Sequence, residues 1–133
     1  ATAGVVVGAD GVNSFVAKTV QPVFEHSEPI RRAMYYAYYS HFDSQAVPSA
    51  EFHYRGNRLV YVFPTDAGMT LLAASVPIED FALFRQNPEA NLKLELESMP
   101  EVSGRFGLAE RVGPVKGTGS IPGYKRTGIV AYN

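Results

Sequence analysis

The sequence contains no cysteine and no tryptophan. Without cysteine the chain can form no disulfide, no thiolate metal site and no thiol nucleophile, so nothing favours an oxidising compartment and we expect a cytoplasmic protein. Long apolar runs are also missing. The longest, Gly4 to Ala9 and Leu71 to Ala74, are far shorter than the roughly 18 residues of a membrane span. We therefore expect no contact with a membrane.

The chain also has little net charge. Twelve basic and thirteen acidic residues give a formal net charge of -1, so no overall field attracts nucleic acid. Hydrophobic residues make up 46% of the 133 residues, with eight Tyr and eight Phe. This composition is too apolar for a disordered chain and predicts one folded domain over residues 1–133.

Residues 1–20 predict a strand, a tight turn and a helix. Gly4 to Ala9 is rich in valine and favours a short strand, which ends at the turn-forming pair Asp10-Gly11. Ser14 can cap a helix from Phe15 to about Val20. The two prolines between Gln21 and Pro29 indicate an irregular connection.

Residues 31–76 predict an antiparallel meander. A long aromatic strand runs from Arg31 to Phe42, and Met69 to Val76 supplies the last strand. Between them, Glu51 to Arg55 and Arg58 to Phe63 alternate in polarity around Gly56-Asn57, which has the composition of a two-residue hairpin turn.

Residues 78–99 predict two short amphipathic helices, divided near Asn87-Pro88. Residues 109–133 predict returning strands, with extended segments at 111–116 and 119–126 and a final short strand at 129–133. The fold class is therefore α+β, a mostly antiparallel sheet of about six strands with helices packed on one face.

The segment with the most specific chemistry is Gly8-Ala9-Asp10-Gly11, followed by Ser14. Two glycines allow a ligand to approach the backbone, the carboxylate can accept hydrogen bonds from ribose hydroxyls, and a helix start offers N–H groups to an anion. These features suit a nucleotide. A simple Asp-Gly turn with a Ser cap is the alternative, and the residues alone leave both open.

These residues resemble a motif of the flavin-dependent aromatic hydroxylases and related FAD oxidoreductases with the p-hydroxybenzoate hydroxylase fold, a family that includes flavin-dependent halogenases. The motif reads hydrophobic-hydrophobic-Gly-Ala-Asp-Gly-x-x-Ser-x-hydrophobic-Arg and lies between the FAD-binding domain and the middle, substrate-binding domain. Residues 6–16 match it, whereas Ala17 stands at the position of the final Arg, with Lys18 beside it.

The resemblance implies roles for particular residues. Asp10 would lie near the FAD ribose and, in hydroxylases, near the pyrophosphate of NADH or NADPH, while Gly8 and Gly11 would permit close approach. Substrate would lie between the middle-domain sheet and the flavin ring. The candidate substrate-binding residues on the open face are Tyr35, Tyr39, His41 and Phe63. Each Tyr or Phe could instead be part of the sheet core.

The resemblance also implies that the chain is part of a larger flavoenzyme. The sequence contains no Gly-x-Gly-x-x-Gly element for the ADP half of FAD. We expect a substrate-binding domain of a monooxygenase, halogenase or reductase that is not catalytically complete alone and binds no cofactor by itself. Its partners would be a small organic substrate and the missing FAD-binding domain.

Other interpretations of the chain's function stay open. The chain could be a free-standing α+β module that binds a small apolar ligand in an aromatic-lined cavity, or it could form a homodimer through a sheet edge or apolar face. The three histidines, at 26, 41 and 53, do not recur at metal-ligand spacing, so we expect no metal site.

Overall fold

A computed structural model describes residues 3–43 and 47–128. The chain forms two compact units, which we call the terminal unit (residues up to 29 and from 122 onwards) and the sheet unit (residues 30–121). The α+β class is confirmed, because the described chain holds four α-helices and seven strands in two antiparallel sheets. The strands divide as five and two, where a single sheet of about six was predicted.

The terminal unit contains α1 (Phe15–Val20), β1 (Phe24–Glu28) and β7 (Gly123–Arg126), with β1 and β7 paired. The sheet unit contains β2 (Arg32–Ser40), β3 (Glu51–Arg55), β4 (Arg58–Pro64), β5 (Thr70–Pro77), α2 (Phe81–Phe84), α3 (Pro88–Glu97), α4 (Pro100–Ser103) and β6 (Glu110–Thr118). Its five strands are ordered β3-β4-β5-β2-β6.

The core of the sheet unit lies between one face of the sheet and the three helices. In β2 every second residue is buried, because strand side chains alternate between the two faces. On the helical side Leu92 and Leu96 are completely buried, and each such side chain stabilises the fold by about 1.5 to 3 kcal/mol. The prediction that helices cover one face is confirmed.

Several local predictions are confirmed. The hairpin of β3 and β4 turns at Gly56 and Asn57, where Gly56 takes a φ of +59°. Helix α3 begins where predicted: Pro88 occupies its first turn, and the Asn87 side chain accepts a hydrogen bond from the Ala90 amide at 3.2 Å.

Two predictions of local structure near the start of the chain are wrong. Residues 4–9 form no strand, and Val5, Val6 and Val7 stay 72–81% exposed, because no neighbouring strand in the described structure pairs with them. Residues 24–28, predicted as irregular, form β1 because β7 supplies its partner from about a hundred residues away. The predicted final strand at 129–133 lies outside the described residues.

The edge strands of the large sheet are β3 and β6. Strand β6 is interrupted by a bulge in which Gly113, with a φ of +80°, is followed by Pro114. Bulges and prolines at a sheet edge disfavour pairing with another chain. The homodimer through a sheet edge stays a prediction.

A partly buried charge cluster connects edge strand β3 to the segment after α4. The Arg105 guanidinium donates to both carboxylate oxygens of Glu51, at 2.8 and 3.0 Å, and to the Asp43 carbonyl at 2.8 Å. It also lies over the Phe42 ring, 4.8 Å from its centre, while His53 Nε2 is 2.9 Å from the Glu51 carboxylate. Three residues, Glu51, Asp43 and Phe42, therefore hold the Arg105 side chain, and His53 adds a second partner for Glu51.

Two glycines near the end of β6 are required for packing. Gly117 pairs with Tyr35, and a Cβ at Gly117 would come within 2.6 Å of Cε1 in the Tyr35 ring and 2.9 Å of the Met34 carbonyl oxygen. A Cβ at Gly119 would lie 2.7 Å from the Phe81 ring. The absence of side chains at these positions makes room for the aromatic core.

Candidate functional site

The Gly8 to Gly11 segment forms a turn that caps a helix. Gly11 has a φ of +82°, a conformation that favours glycine. The Asp10 Oδ2 atom accepts hydrogen bonds from the amides of Phe15 at 2.7 Å and Val16 at 3.2 Å. Ser14 Oγ accepts a third from the Ala17 amide at 2.9 Å. The turn-and-cap arrangement considered from the sequence is thus present.

Gly8 is also used within the turn. A Cβ at this position would lie 2.9 Å from a methyl group of Val16, so only glycine lets the segment pass this close to α1. Gly8 therefore has a packing role beside Val16, and the approach of a ligand to Gly8 stays a prediction.

The Asp10 carboxylate stays ionised in this arrangement. The Ser14 hydroxyl and the Val16 amide, followed by the Phe15 amide, lower the pKa of Asp10. A carboxylate has about four acceptor sites, so hydrogen bonds to the helix leave capacity for a hydroxyl group.

A cationic groove of about 350 Å³ adjoins this turn within the terminal unit. It is lined by Val12, Asn13, Ser14, Ala17, Lys18, Gln21, Pro22, Phe24 and Arg126. The Arg126 guanidinium lies 4.4 Å from the ring centre of Tyr124 and 4.8 Å from that of Phe24, and its buried Nε has no hydrogen-bond partner. Two cations beside an apolar wall suit an organic anion such as a phosphate ester. Lys18 supplies a charge beside Ala17, the position of the family's Arg.

The second candidate surface is the sheet face opposite the helices, which we call the open face. It carries a continuous group of aromatic and apolar side chains: Tyr36 and Tyr38 of β2, Phe52 of β3, Tyr61 and Phe63 of β4, and Leu71 of β5. Phe52 is 53% exposed and the others are half-buried.

The open-face rings pack at steep angles to one another. The ring centres of Phe52 and Tyr61 are 5.5 Å apart, those of Phe52 and Phe63 are 5.4 Å apart, and Tyr36 meets Tyr38 edge-on at 6.1 Å. Such pairs are favourable contacts between aromatic rings. The face therefore offers an ordered aromatic surface with tyrosine hydroxyls as polar groups.

The predicted substrate-binding residues do not come together on one surface. Phe63 lies on the open face, but Tyr35 and Tyr39 lie on the helical face, where they are only 3% and 8% exposed. Their placement on the open face is corrected: burial under the helices, which raises the pKa of both phenols, puts them in the core. His41 follows β2, is exposed and has a φ of +52°.

The sequence analysis missed the residues that replace them on the open face. Tyr36 and Tyr38 share the other side of β2 with Arg32 and Ser40, and polar residues at both ends of one side indicate exposure to solvent. Ala33 and Ala37, on the side of Tyr35 and Tyr39, indicate close packing against another layer. This difference in polarity could have distinguished the two faces.

Other site types find no support in the part of the chain that the structure describes. In residues 3–43 and 47–128, no helix has the length and apolar character needed to cross a bilayer. No group of three His, Asp or Glu side chains among these residues could hold a metal ion.

No family model matches the chain, and no curated protein sequence matches it. Solved structures do share its fold. The flavin-dependent brominase Bmp2 superposes with a TM-score of 0.65 at 18% identity, over 77% of this chain and 27% of that one. A triple mutant of Bmp2 superposes with a TM-score of 0.66 at 18% identity, over 89% of this chain and 31% of the mutant. CmlS, a flavin-dependent halogenase, superposes with a TM-score of 0.64 at 14% identity, over 85% of this chain and 20% of CmlS.

These similarities establish the fold and its extent. The chain has the fold of a segment of flavin-dependent halogenases and spans about a fifth to a third of the length of these structures. The resemblance drawn from Gly8 to Gly11 named a family that includes flavin-dependent halogenases, and these structures agree with it at the level of the fold.

Proposed function

We propose that this chain is the substrate-binding part of an FAD-dependent oxidoreductase of the halogenase type. In this proposal the open face forms one wall of the site for a small aromatic substrate, and bound flavin supplies the redox chemistry. The observation that carries it is the ordered aromatic open face, on a fold shared with two flavin-dependent halogenases.

The chemistry of the open face supports a binding role. An aromatic surface that stays accessible on a folded sheet is unusual, because apolar side chains of this size are normally covered. Ligand sites combine such surfaces with a few polar groups that fix orientation. The hydroxyl groups of Tyr36, Tyr38 and Tyr61 are the candidates for that role.

The terminal unit supports the proposal that a flavin-binding domain belongs with this chain. Seven of its large apolar residues are at least half exposed: Val5, Val6, Val7, Val12, Phe15, Val23 and Phe24. Among the described residues, the hydrophobic core cluster draws none of its members from this unit. We propose that the missing flavin domain covers these residues and that the groove beside Lys18 and Arg126 faces the phosphate groups of a nucleotide cofactor.

The open-face role predicts where a small aromatic molecule binds. Phenol added to the isotope-labelled chain should shift the amide resonances of β2, β4 and β5 in a saturable manner. Tyr61→Ser should weaken binding severalfold, because stacking and edge contacts with the ring are lost. The control is Leu94→Ala, which truncates an exposed apolar residue of α3. Shifts confined to the helical side would contradict the proposal.

The flavin role predicts the behaviour of Asp10→Ala. FAD titrated into the chain alone should show no saturable binding in the micromolar range, since the sequence contains no Gly-x-Gly-x-x-Gly element to bind the ADP half. With the flavin domain supplied, Asp10→Ala should impair flavin binding, whereas a free-standing apolar-ligand module would be indifferent. The control is Thr19→Ala, which removes the hydrogen bond from Thr19 Oγ1 to the Phe15 carbonyl within α1 and lies outside the groove lining. Equal effects of the two variants would reduce Asp10 to a structural residue.

A further inference from the structure

We propose that the chain pairs with a second copy of itself through the outer edge of strand β3, antiparallel and about a two-fold axis at His53. This dimer is separate from the function proposed above, because it uses the edge of the sheet and needs no substrate on the open face. Two features of β3 carry the proposal: its composition and the direction of its backbone groups.

Strand β3 is the edge of the large sheet without protection against pairing. Strand β4 lies on one side of it, and among the described residues no strand pairs with the other side. Its five residues include no proline, glycine or lysine, and its pairing with β4 has no bulge. The opposite edge, β6, has both a bulge and Pro114. Since sheets use such features to prevent pairing at their edges, β3 is the edge that is open to another chain.

The hairpin determines which backbone groups of β3 point outward. A two-residue turn closes on a pair of residues that exchange both of their backbone hydrogen bonds, here Arg55 and Arg58. Such pairs alternate along an antiparallel ladder, so every second residue of β3 counted from Arg55 bonds to β4. The N–H and C=O groups of Phe52 and Tyr54 therefore point away from the sheet and are available to a partner strand.

One register uses all of these outward groups. When His53 lies opposite His53 of the second copy, Phe52 lies opposite Tyr54 of that copy, and Tyr54 lies opposite its Phe52. Each of these two pairs can exchange two hydrogen bonds. A register centred on Phe52 or on Tyr54 keeps only one such pair within β3. The backbone thus favours the axis at His53.

The aromatic side chains of the edge agree with this register. Phe52 and Tyr54 are 53% and 73% exposed, and both lie on the open face, because they alternate with the residues on the helical side. Across the axis each ring would pack against the other type of ring in the second copy, a favourable cross-strand pair. Pairing would therefore cover the two large exposed side chains of β3.

The charged side chains also agree with it. In this register Glu51 lies opposite Arg55 of the second copy, at a position where cross-strand side chains are close. Arg55 donates to the Ser98 carbonyl and has no carboxylate partner among the described residues. Glu51 Oε1 accepts a hydrogen bond from Arg105, and a carboxylate oxygen has about two acceptor sites, so one is free for this guanidinium. The edge is thus complementary to itself in charge.

The absence of cysteine allows the register to be tested by crosslinking. Facing residues that share no backbone hydrogen bonds have Cα atoms about 4.5 Å apart, within reach of a disulfide, whereas diagonal neighbours are about 7 to 8 Å apart. Under mild oxidation the 133-residue chain with His53→Cys should therefore form a covalent dimer at least about tenfold faster than the chain with Tyr54→Cys. Random collision would favour Tyr54→Cys, because the His53 side chain is only 17% exposed.

Sedimentation velocity over a concentration series measures the dimer without a crosslink. One strand edge is a small interface, so we expect a dissociation constant on the order of 0.1 mM. Arg55→Glu should weaken the dimer at least about tenfold, because it places like charges opposite each other on both sides of the axis. Lys116→Glu makes the same change of charge at an exposed position of β6 and is the control, which should leave the dimer unchanged.

A second variant separates the dimer from the stability of the fold, because Arg55→Glu also removes the contact with Ser98. Tyr54→Pro removes an outward N–H group that β4 does not use, and proline is accepted on an edge strand. It should weaken the dimer while circular dichroism stays that of the wild type. A chain that is monomeric at about 1 mM would overturn the proposal. Faster crosslinking through residue 54 than through residue 53, or equal dimerisation of Arg55→Glu and Lys116→Glu, would overturn it too.

Discussion

Replacing Gly117 by alanine is expected to lower the free energy of unfolding by about 2 to 3 kcal/mol, the upper range for adding atoms to a packed core. The new Cβ would meet both a carbonyl oxygen of the backbone and the ring of Tyr35. That ring cannot move aside, because it stacks on Phe84 with ring centres 3.9 Å apart. Urea unfolding followed by circular dichroism measures the change.

The matched control is the same substitution at Gly104. This glycine has an ordinary backbone conformation at the end of α4, and a Cβ there would meet nothing within 4 Å. Gly104→Ala should be neutral or stabilising by up to about 1 kcal/mol, since it restricts the unfolded chain. If the two variants have equal stability, the packing argument for Gly117 is wrong.

The substitution Tyr35→Leu tests whether the Tyr35 ring causes the loss of stability in Gly117→Ala. In that background the cost of Gly117→Ala should fall, because the flat ring that occupies the space has been removed. The loss of unfolding free energy that remains in the Tyr35→Leu background measures the contact between the new Cβ and the Met34 carbonyl. A double-mutant cycle over the two positions gives the coupling directly.

Elements defined by neighbouring residues could be predicted from the sequence. Helix α1 with its Ser14 cap, the hairpin at Gly56 and the start of α3 at Pro88 each depend on residues within one turn of the chain. Strand β1 could not be predicted, because it exists only through pairing with β7, which lies far along the sequence. Pairing over such separations leaves no local pattern.

The candidate site was predicted only in part, because its position also depends on contacts between residues that are distant in sequence. Alternation along β2 correctly separated the two sets of side chains, yet it does not tell which set the helices cover. Tyr35 and Tyr39 were therefore assigned to the wrong face, while the alternation in β4 placed Phe63 correctly.

Replacing Arg105 by methionine is expected to lower the free energy of unfolding by about 2 to 3 kcal/mol, between the values for exposed and buried ion pairs. The side chains of Arg105 and Glu51 are only 16% and 10% exposed, so the variant leaves Glu51 with poor access to water. Lys93→Met breaks the exposed pair with Glu97 and should cost no more than about 0.5 kcal/mol. Similar losses in the two variants would contradict this.

The difference between wild type and Arg105→Met should depend on pH. Hydrogen bonds from Arg105 outweigh the effect of burial and lower the pKa of Glu51 in the folded state. A group with a lowered pKa stabilises the fold fully above its unfolded value, about 4.3 for glutamate, and loses that contribution as the pH falls through the folded value. The difference should therefore be constant near neutral pH and shrink below about pH 4. Urea unfolding across this range measures it, and a difference that persists at about pH 2 would show that Arg105 acts through packing on Phe42 rather than through charge.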